Sequence, residues 1–190
     1  MDDRHISALI AIVEGSPWFM RALDCIAQLR LQSWCIGAGA IRGLVWDHLH
    51  GFAEHSWLGD VDMVYFDASE SPQHSEMALQ NSLQRMAPDL PWEVTNQATV
   101  HHWYEREFGI KVEPLGSLEE GVASWPEYAT CVGVTLDPNK RVRVIAPWGL
   151  DDLFNLRVRH NPVRASVKDY RKRMVEKNFS SRWPSVIVEA

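Results

Sequence analysis

Residues 59–67 read GDVDMVYFD, and this segment limits the possible folds more than any other in the chain. Val61 to Phe66 is an apolar run of strand length, rich in the residues that suit a buried pleated surface. Asp60 and Asp62 are two apart, so on an extended chain both carboxylates leave the same face, roughly 7 Å apart at the backbone. Two acids at the mouth of a core strand either cap a loop or converge on cations. A site for two cations needs oxygen ligands from more than one segment. The third carboxylate is Glu93, set between Trp92 and Val94 in an otherwise apolar strand, where an unpaired charge is costly to bury. Its alternative is an ion pair with an arginine at the rim.

Upstream lies GAGAIRGLVWDHLHGF, residues 37–52. Ser33 to Ile36 reads as a short strand, Gly37 to Ala40 as a turn, and Ile41 to His50 as a helix that Gly51 ends in the left-handed conformation. Amides freed at a helix start, with glycines permitting close approach and Arg42 one turn in, make an anion site. The segment is not a P-loop, because GxxxxGK[ST] is absent. It is not GxGxxG either, because Gly37, Gly39 and Gly43 leave one extra residue. Taken alone it fits a reversing turn equally well.

The rest of the chain alternates helix and strand signals. Asp3 to Val13 reads as a helix, and Ser16-Pro17 caps a second one running to about Leu29. His74 to Met86 and Gln97 to Glu107 read as helices around a strand at Pro91 to Val94. Cys131 to Leu136 and Arg141 to Ile145 flank the turn sequence DPNK and form a hairpin. A helix begins near Leu150, and a basic one spans Val163 to about Asn178. The fold class is therefore α/β in the α+β sense, a mixed sheet with flanking helices. With 190 residues, 46% of them apolar, one compact domain suffices. Its parts are a helical segment (1–32), a core (33–150) and a basic helical segment packed on that core (151–190).

Residues 157–182 carry nine Lys or Arg against Asp169 and Glu176, which leaves −13 for the remainder of a chain of net charge −6. The acidic bulk argues against nonspecific duplex DNA as a partner. No run of about 18 apolar residues occurs, and Arg4, His5 and Glu14 interrupt the first apolar stretch, so neither a membrane span nor a signal peptide is expected. Cytoplasmic location is the expectation. Cys25, Cys35 and Cys131 lack the spacing of a disulfide framework or a zinc site and read as buried thiols.

The order strand, GAGAIR turn, helix, GDVDMVYFD strand, helix, WEV strand resembles the polymerase-beta-type nucleotidyltransferase superfamily. The longer segments WEVTNQATVHHWY and APWGLDDLFNLRVRHNP and the terminal RWP resemble a family of small bacterial nucleotidyltransferase-like proteins of largely unknown function, over about residues 30–185. That resemblance implies that Asp60, Asp62 and Glu93 hold magnesium or manganese and carry catalysis. It makes Gly37, Ala38 and Gly39, with Arg42, the phosphate-binding turn for a nucleoside triphosphate such as ATP. The implied reaction moves a nucleoside monophosphate group to an acceptor hydroxyl on a small molecule, a protein or a short RNA, releasing pyrophosphate. The superfamily's Gly-Ser pair is Ala38-Gly39 or Gly39-Ala40 here, so backbone amides and Arg42 must replace a hydroxyl.

Asn96, Gln97 and His101 match further family positions and are candidates for supporting the acids or meeting the acceptor; for His101 a satisfied structural histidine competes. Lys177, Arg171 and Arg182 either face a polyphosphate or are solvated. Asp151 and Asp152 read as helix-capping acids. His48, His50 and His55 lack the spacing to share a helix face as a zinc site. Trp57 is a core residue or a base-stacking one. Two rival functions stay open: a nucleotide sensor that keeps the fold without turnover, and a dinucleotide-binding oxidoreductase in which Asp67 ends its strand as a ribose-binding acid.

Overall fold

A computed structural model describes residues 3–53, 58–69 and 71–189. The expected strand after residue 33 is β1 (Trp34–Gly37), buried along its whole length. It lies antiparallel to β2 (Val61–Tyr65) on one side and to β4 (Gly133–Leu136) on the other. Outside these, β3 (Trp92–Asn96) pairs parallel to β2, and β5 (Val142–Ile145) closes the DPNK hairpin with β4. The sheet is mixed, in the order β3-β2-β1-β4-β5.

Strand alternation sorts the core. Ile36, Met63, Tyr65, Val94 and Val134 join the main cluster beneath α1 (Asp3–Glu14), α2 (Pro17–Ala27) and α3 (Ala38–Leu49). The alternate residues Cys35 and Val64 join a smaller cluster under α6 (Leu118–Ala123), with Cys131 and Trp125. Asp62 and Glu93 share this second face of the sheet, and α6 covers only part of it, which leaves the acidic end open. All three cysteines are buried free thiols, and burial holds those of Cys35 and Cys131 well above their ordinary pKa.

Several boundaries differ from the sequence reading, each for a local reason. Helix α3 starts directly at Ala38, so there is no four-residue turn before it; Gly37 is its N-cap, in extended backbone. Gly51 does end the segment in the left-handed region, with φ 66°. α4 (Glu76–Met86) begins after Ser75, whose hydroxyl accepts from the Ala78 amide, with a 3-10 turn at 72–74 before it. The expected helix from Gln97 divides into a 3-10 turn (Gln97–Thr99), opened by the Asn96 side chain, and α5 (His101–Phe108). α7 (Asp151–Phe154) is a single turn whose N-cap is Leu150, so neither aspartate is the cap. Asp152 is buried and accepts from Arg159 Nε at 2.8 Å, while Asp151 meets His5 at 3.2 Å.

The C-terminal segment adds a short parallel pair that the sequence reading did not anticipate. β6 (Arg157–Val158) pairs with β7 (Ile187–Val188), and between them lie α8 (Val167–Lys177), capped by Ser166, and α9 (Phe179–Arg182). The strand pairing returns the chain end to the core and holds the basic helix against the open face of the sheet. His55 and Trp57 lie outside the described residues. Among those described, no single helix is long and apolar enough to cross a membrane.

Candidate active site

The open half of the sheet forms the floor of a cleft of about 910 Å³. Asp60 stands just before β2 and Asp62 one strand residue further in, so both project to this side. Parallel pairing sets Glu93 directly opposite Asp62. Oxygen atoms of the three carboxylates lie within 4.8 Å of one another. The Asp62 carboxyl is pushed up to about 7, first by burial and then by the neighbouring charges of Asp60 and Glu93. Arg173 and the Gly39 amide act in the opposite direction. Three acids this close repel one another, and a divalent cation among them reverses that penalty.

The glycine turn is built differently from a plain amide cradle. A β-carbon on Gly37 would stand 2.3 Å from the Trp125 ring, so glycine is required there by packing, and Gly37 lies beneath the ring without lining the cleft. The left-handed residue of the turn is Ala38, with φ 50°, a conformation that costs a non-glycine residue about 1–2 kcal/mol. Two of the amides at the helix start are already engaged, Ala38 with the Val132 carbonyl at 3.3 Å and Gly39 with Asp62. A β-carbon on Gly39 would meet the Asp60 carboxylate at an ordinary 3.6 Å, so this α-carbon faces the acids.

Cations form the facing wall. Arg42 is 6% exposed and lies within 5.6 Å of the ring centroids of Trp46, Phe179 and Trp183. Its guanidinium is lowered to about 10, mainly by burial, and remains charged at neutral pH. Nε and Nη1 of Arg42 have no hydrogen-bond partner among the described residues; the Glu127 carboxylate is 3.9 Å from Nη1. Glu127, itself buried, also accepts from Arg173 on α8. Lys172, Arg173, Lys177 and Arg182 line the cleft, whereas Arg171 is exposed on the outer side of α8. Asp169, Lys172, Arg173, Glu176 and Lys177 follow the i, i+3, i+4, i+7, i+8 spacing of one helix face. That spacing was the sequence signal for Arg173 and Lys172, which the charge total alone did not reveal.

The remaining candidates separate. Gln97 lines the cleft. Asn96 does not; its side chain donates to the Asp67 carbonyl and accepts from the Asp67 and Ala98 amides, which fixes the loop after β2. His101 also stays out of the cleft, its ring 4.0 Å from that of His102. His50 bridges the Trp46 carbonyl and the Ser185 amide, tying the end of α3 to the C-terminal segment. Asp67 is taken up by Ser69 and His74, which hold its carboxyl below the usual range, so it is not available as a ribose-binding acid beside the turn. Trp125 lines the cleft with no warning in the sequence, because its position depends on the path of α6.

A mixed sheet carrying a helix-start turn beside three converging acids defines the nucleotidyltransferase class of fold. A nucleotidyltransferase family model matches residues 24–188, and the chain belongs to that family. An NMR structure described as a CCA-adding enzyme head domain is similar at 25% identity, over 95% of this chain and 94% of that one, with a TM-score of 0.79. Two structures of a tRNA-processing enzyme, one a complex and one an apo form, match at 17% identity with TM-scores of 0.52. This chain spans 43% of their length, and at that identity they speak to the fold alone. No curated protein sequence matches. Of the two alignments of the superfamily's Gly-Ser pair, the backbone favours Ala38-Gly39, since the first member is left-handed and the second faces the acids. Membership in the family displaces the oxidoreductase alternative.

Proposed function

We propose that this cleft transfers a nucleoside monophosphate from a triphosphate such as ATP to an acceptor hydroxyl, in the cytoplasm, with Asp60, Asp62 and Glu93 holding magnesium or manganese. The observation that carries the reading is the convergence of three carboxylates within 4.8 Å, opposite a wall of arginine and lysine. Bound divalent cations supply charge neutralisation on the phosphates and the leaving pyrophosphate. The side chains do the rest. Arg42 and Arg173 hold the outer phosphates, with Lys177 and Arg182 beside them, in place of the missing serine hydroxyl. Glu93, the most exposed of the acids, takes the proton of the acceptor hydroxyl. The acceptor oxygen bonds to the α-phosphorus as the bond to pyrophosphate breaks, and the electron pair leaves with pyrophosphate. The acceptor is a small molecule, a protein or a short RNA.

The test uses α-labelled nucleoside triphosphates with magnesium and measures label transfer and pyrophosphate release. Asp60→Asn and Asp62→Asn lower the rate on the order of 10³-fold with an unchanged circular dichroism spectrum; undiminished turnover in both variants defeats the proposal. A second reading, a nucleotide sensor without turnover, is favoured by the engaged Ala38 and Gly39 amides. Magnesium-dependent triphosphate binding with no label transfer in any acceptor mixture selects it.

A further inference from the structure

The two ends of the cleft differ in chemistry. Every arginine or lysine lining it among the described residues comes from α3, α8 or α9. The opposite end is bounded by the 3-10 turn after β3 and by α5. There Trp103, Tyr104, Glu107 and Phe108 line the cleft at i, i+1, i+4 and i+5, one face of the helix, and α5 has no fully buried residue. The Tyr104 and Phe108 rings are 4.6 Å apart. Beside them Gln97 is only 4% exposed, yet no hydrogen bond to its carboxamide forms among the described residues. Its side chain packs on α6, where a β-carbon on Gly121 would stand 2.7 Å from its Oε1. A carboxamide at the cleft wall offers a donor and an acceptor to a ligand.

We infer that this end of the cleft holds the nucleobase of the donor triphosphate, an uncharged planar heterocycle stacked on the α5 aromatic stripe and hydrogen-bonded at its edge by Gln97. The inference rests on the proposed triphosphate site. Glu93 and Thr95 are alternate positions of β3, roughly 7 Å apart along the strand, and Gln97 opens the turn that follows it. A ring tethered through a sugar to a phosphate at the acids is thereby directed to Gln97. The Arg164 guanidinium lies over the Tyr104 ring, 5.8 Å from its centroid, and the Gln97 carboxamide, with both donor and acceptor, suits a base edge.

Calorimetric titration with ATP, GTP, CTP, UTP and inorganic tripolyphosphate, each with magnesium and without acceptor, tests the assignment. The unsubstituted chain binds at least one nucleotide about tenfold more tightly than tripolyphosphate and prefers some bases over others. Gln97→Leu abolishes the base preference, and Trp103→Ala weakens all four nucleotides; neither changes tripolyphosphate binding. Trp103 is only half-buried, so its variant keeps the test decisive if Gln97→Leu does not fold. Equal affinity for nucleotides and tripolyphosphate, or a base preference intact in the folded variants, overturns the inference and leaves the triphosphate site standing. No tripolyphosphate binding at all overturns both.

Discussion

The acidic floor and the basic wall of the cleft are assembled by different means. On the floor, Asp60, Asp62 and Glu93 are placed by a strand pair, Asp62 opposite Glu93 in parallel register. The backbone ladder fixes their spacing, and their mutual repulsion is tolerated. On the wall, Arg42 and Arg173 come from helices more than a hundred residues apart in sequence and meet at one buried acid, Glu127. The floor is held by main-chain hydrogen bonds and the wall by side-chain charge, so the two fail under different perturbations.

Removing the wall's central acid has the largest expected effect. Glu127→Ala leaves the buried Arg42 and the partly exposed Arg173 without their counter-charge and costs about 3 kcal/mol, read as a lower midpoint in urea; a loss under 1 kcal/mol means Glu127 does not hold the wall together. The floor responds to pH instead. The Asp62 carboxyl titrates at about 7 in the fold against 3.8 in the unfolded chain, so between those values the folded state binds more protons. Stability of the metal-free protein therefore falls as pH rises from 4 to 7, by roughly 2–4 kcal/mol. Saturating magnesium and Asp62→Asn each flatten this slope; a flat metal-free profile would contradict the crowding of the three acids.

Smaller effects separate neighbours within each region. Arg173→Met weakens nucleotide binding about tenfold while Arg171→Met leaves it unchanged, and equal losses would mean that the field of the helix matters more than its cleft-facing stripe. In the turn, Ala38→Gly relieves left-handed backbone at some entropic cost. It raises stability by about 0.5 kcal/mol, a gain of about 1–2 °C in Tm.

The legible features were those governed by near neighbours in the chain. Alternating apolar residues and the DxD pair marked β2, WEV marked β3 with its misplaced acid, and DPNK marked the hairpin. The helix breaks were less legible, because Asn96 and Ser75 act as caps through single side-chain hydrogen bonds that composition does not distinguish. Asn96 resembled a site residue and proved to be a loop clamp, whereas its neighbour Gln97 faces the cleft; one residue along the chain end of a strand reverses the direction a side chain takes.

The sequence alone therefore determined the order of strands β1 to β5 and of helices α1 to α4, the shared face of Asp60 and Asp62, and the glycine-led start of α3, since each depends on backbone periodicity over a few residues. Only the tertiary structure decided which strand brings Glu93 beside Asp62, and that Gly37 is a glycine because Trp125 lies on it. It also decided that the Ala38 and Gly39 amides are already engaged, and that Arg42 and Arg173 share Glu127 in their place. These depend on contacts between segments distant in sequence, where burial and charge act through space and leave no local periodic trace.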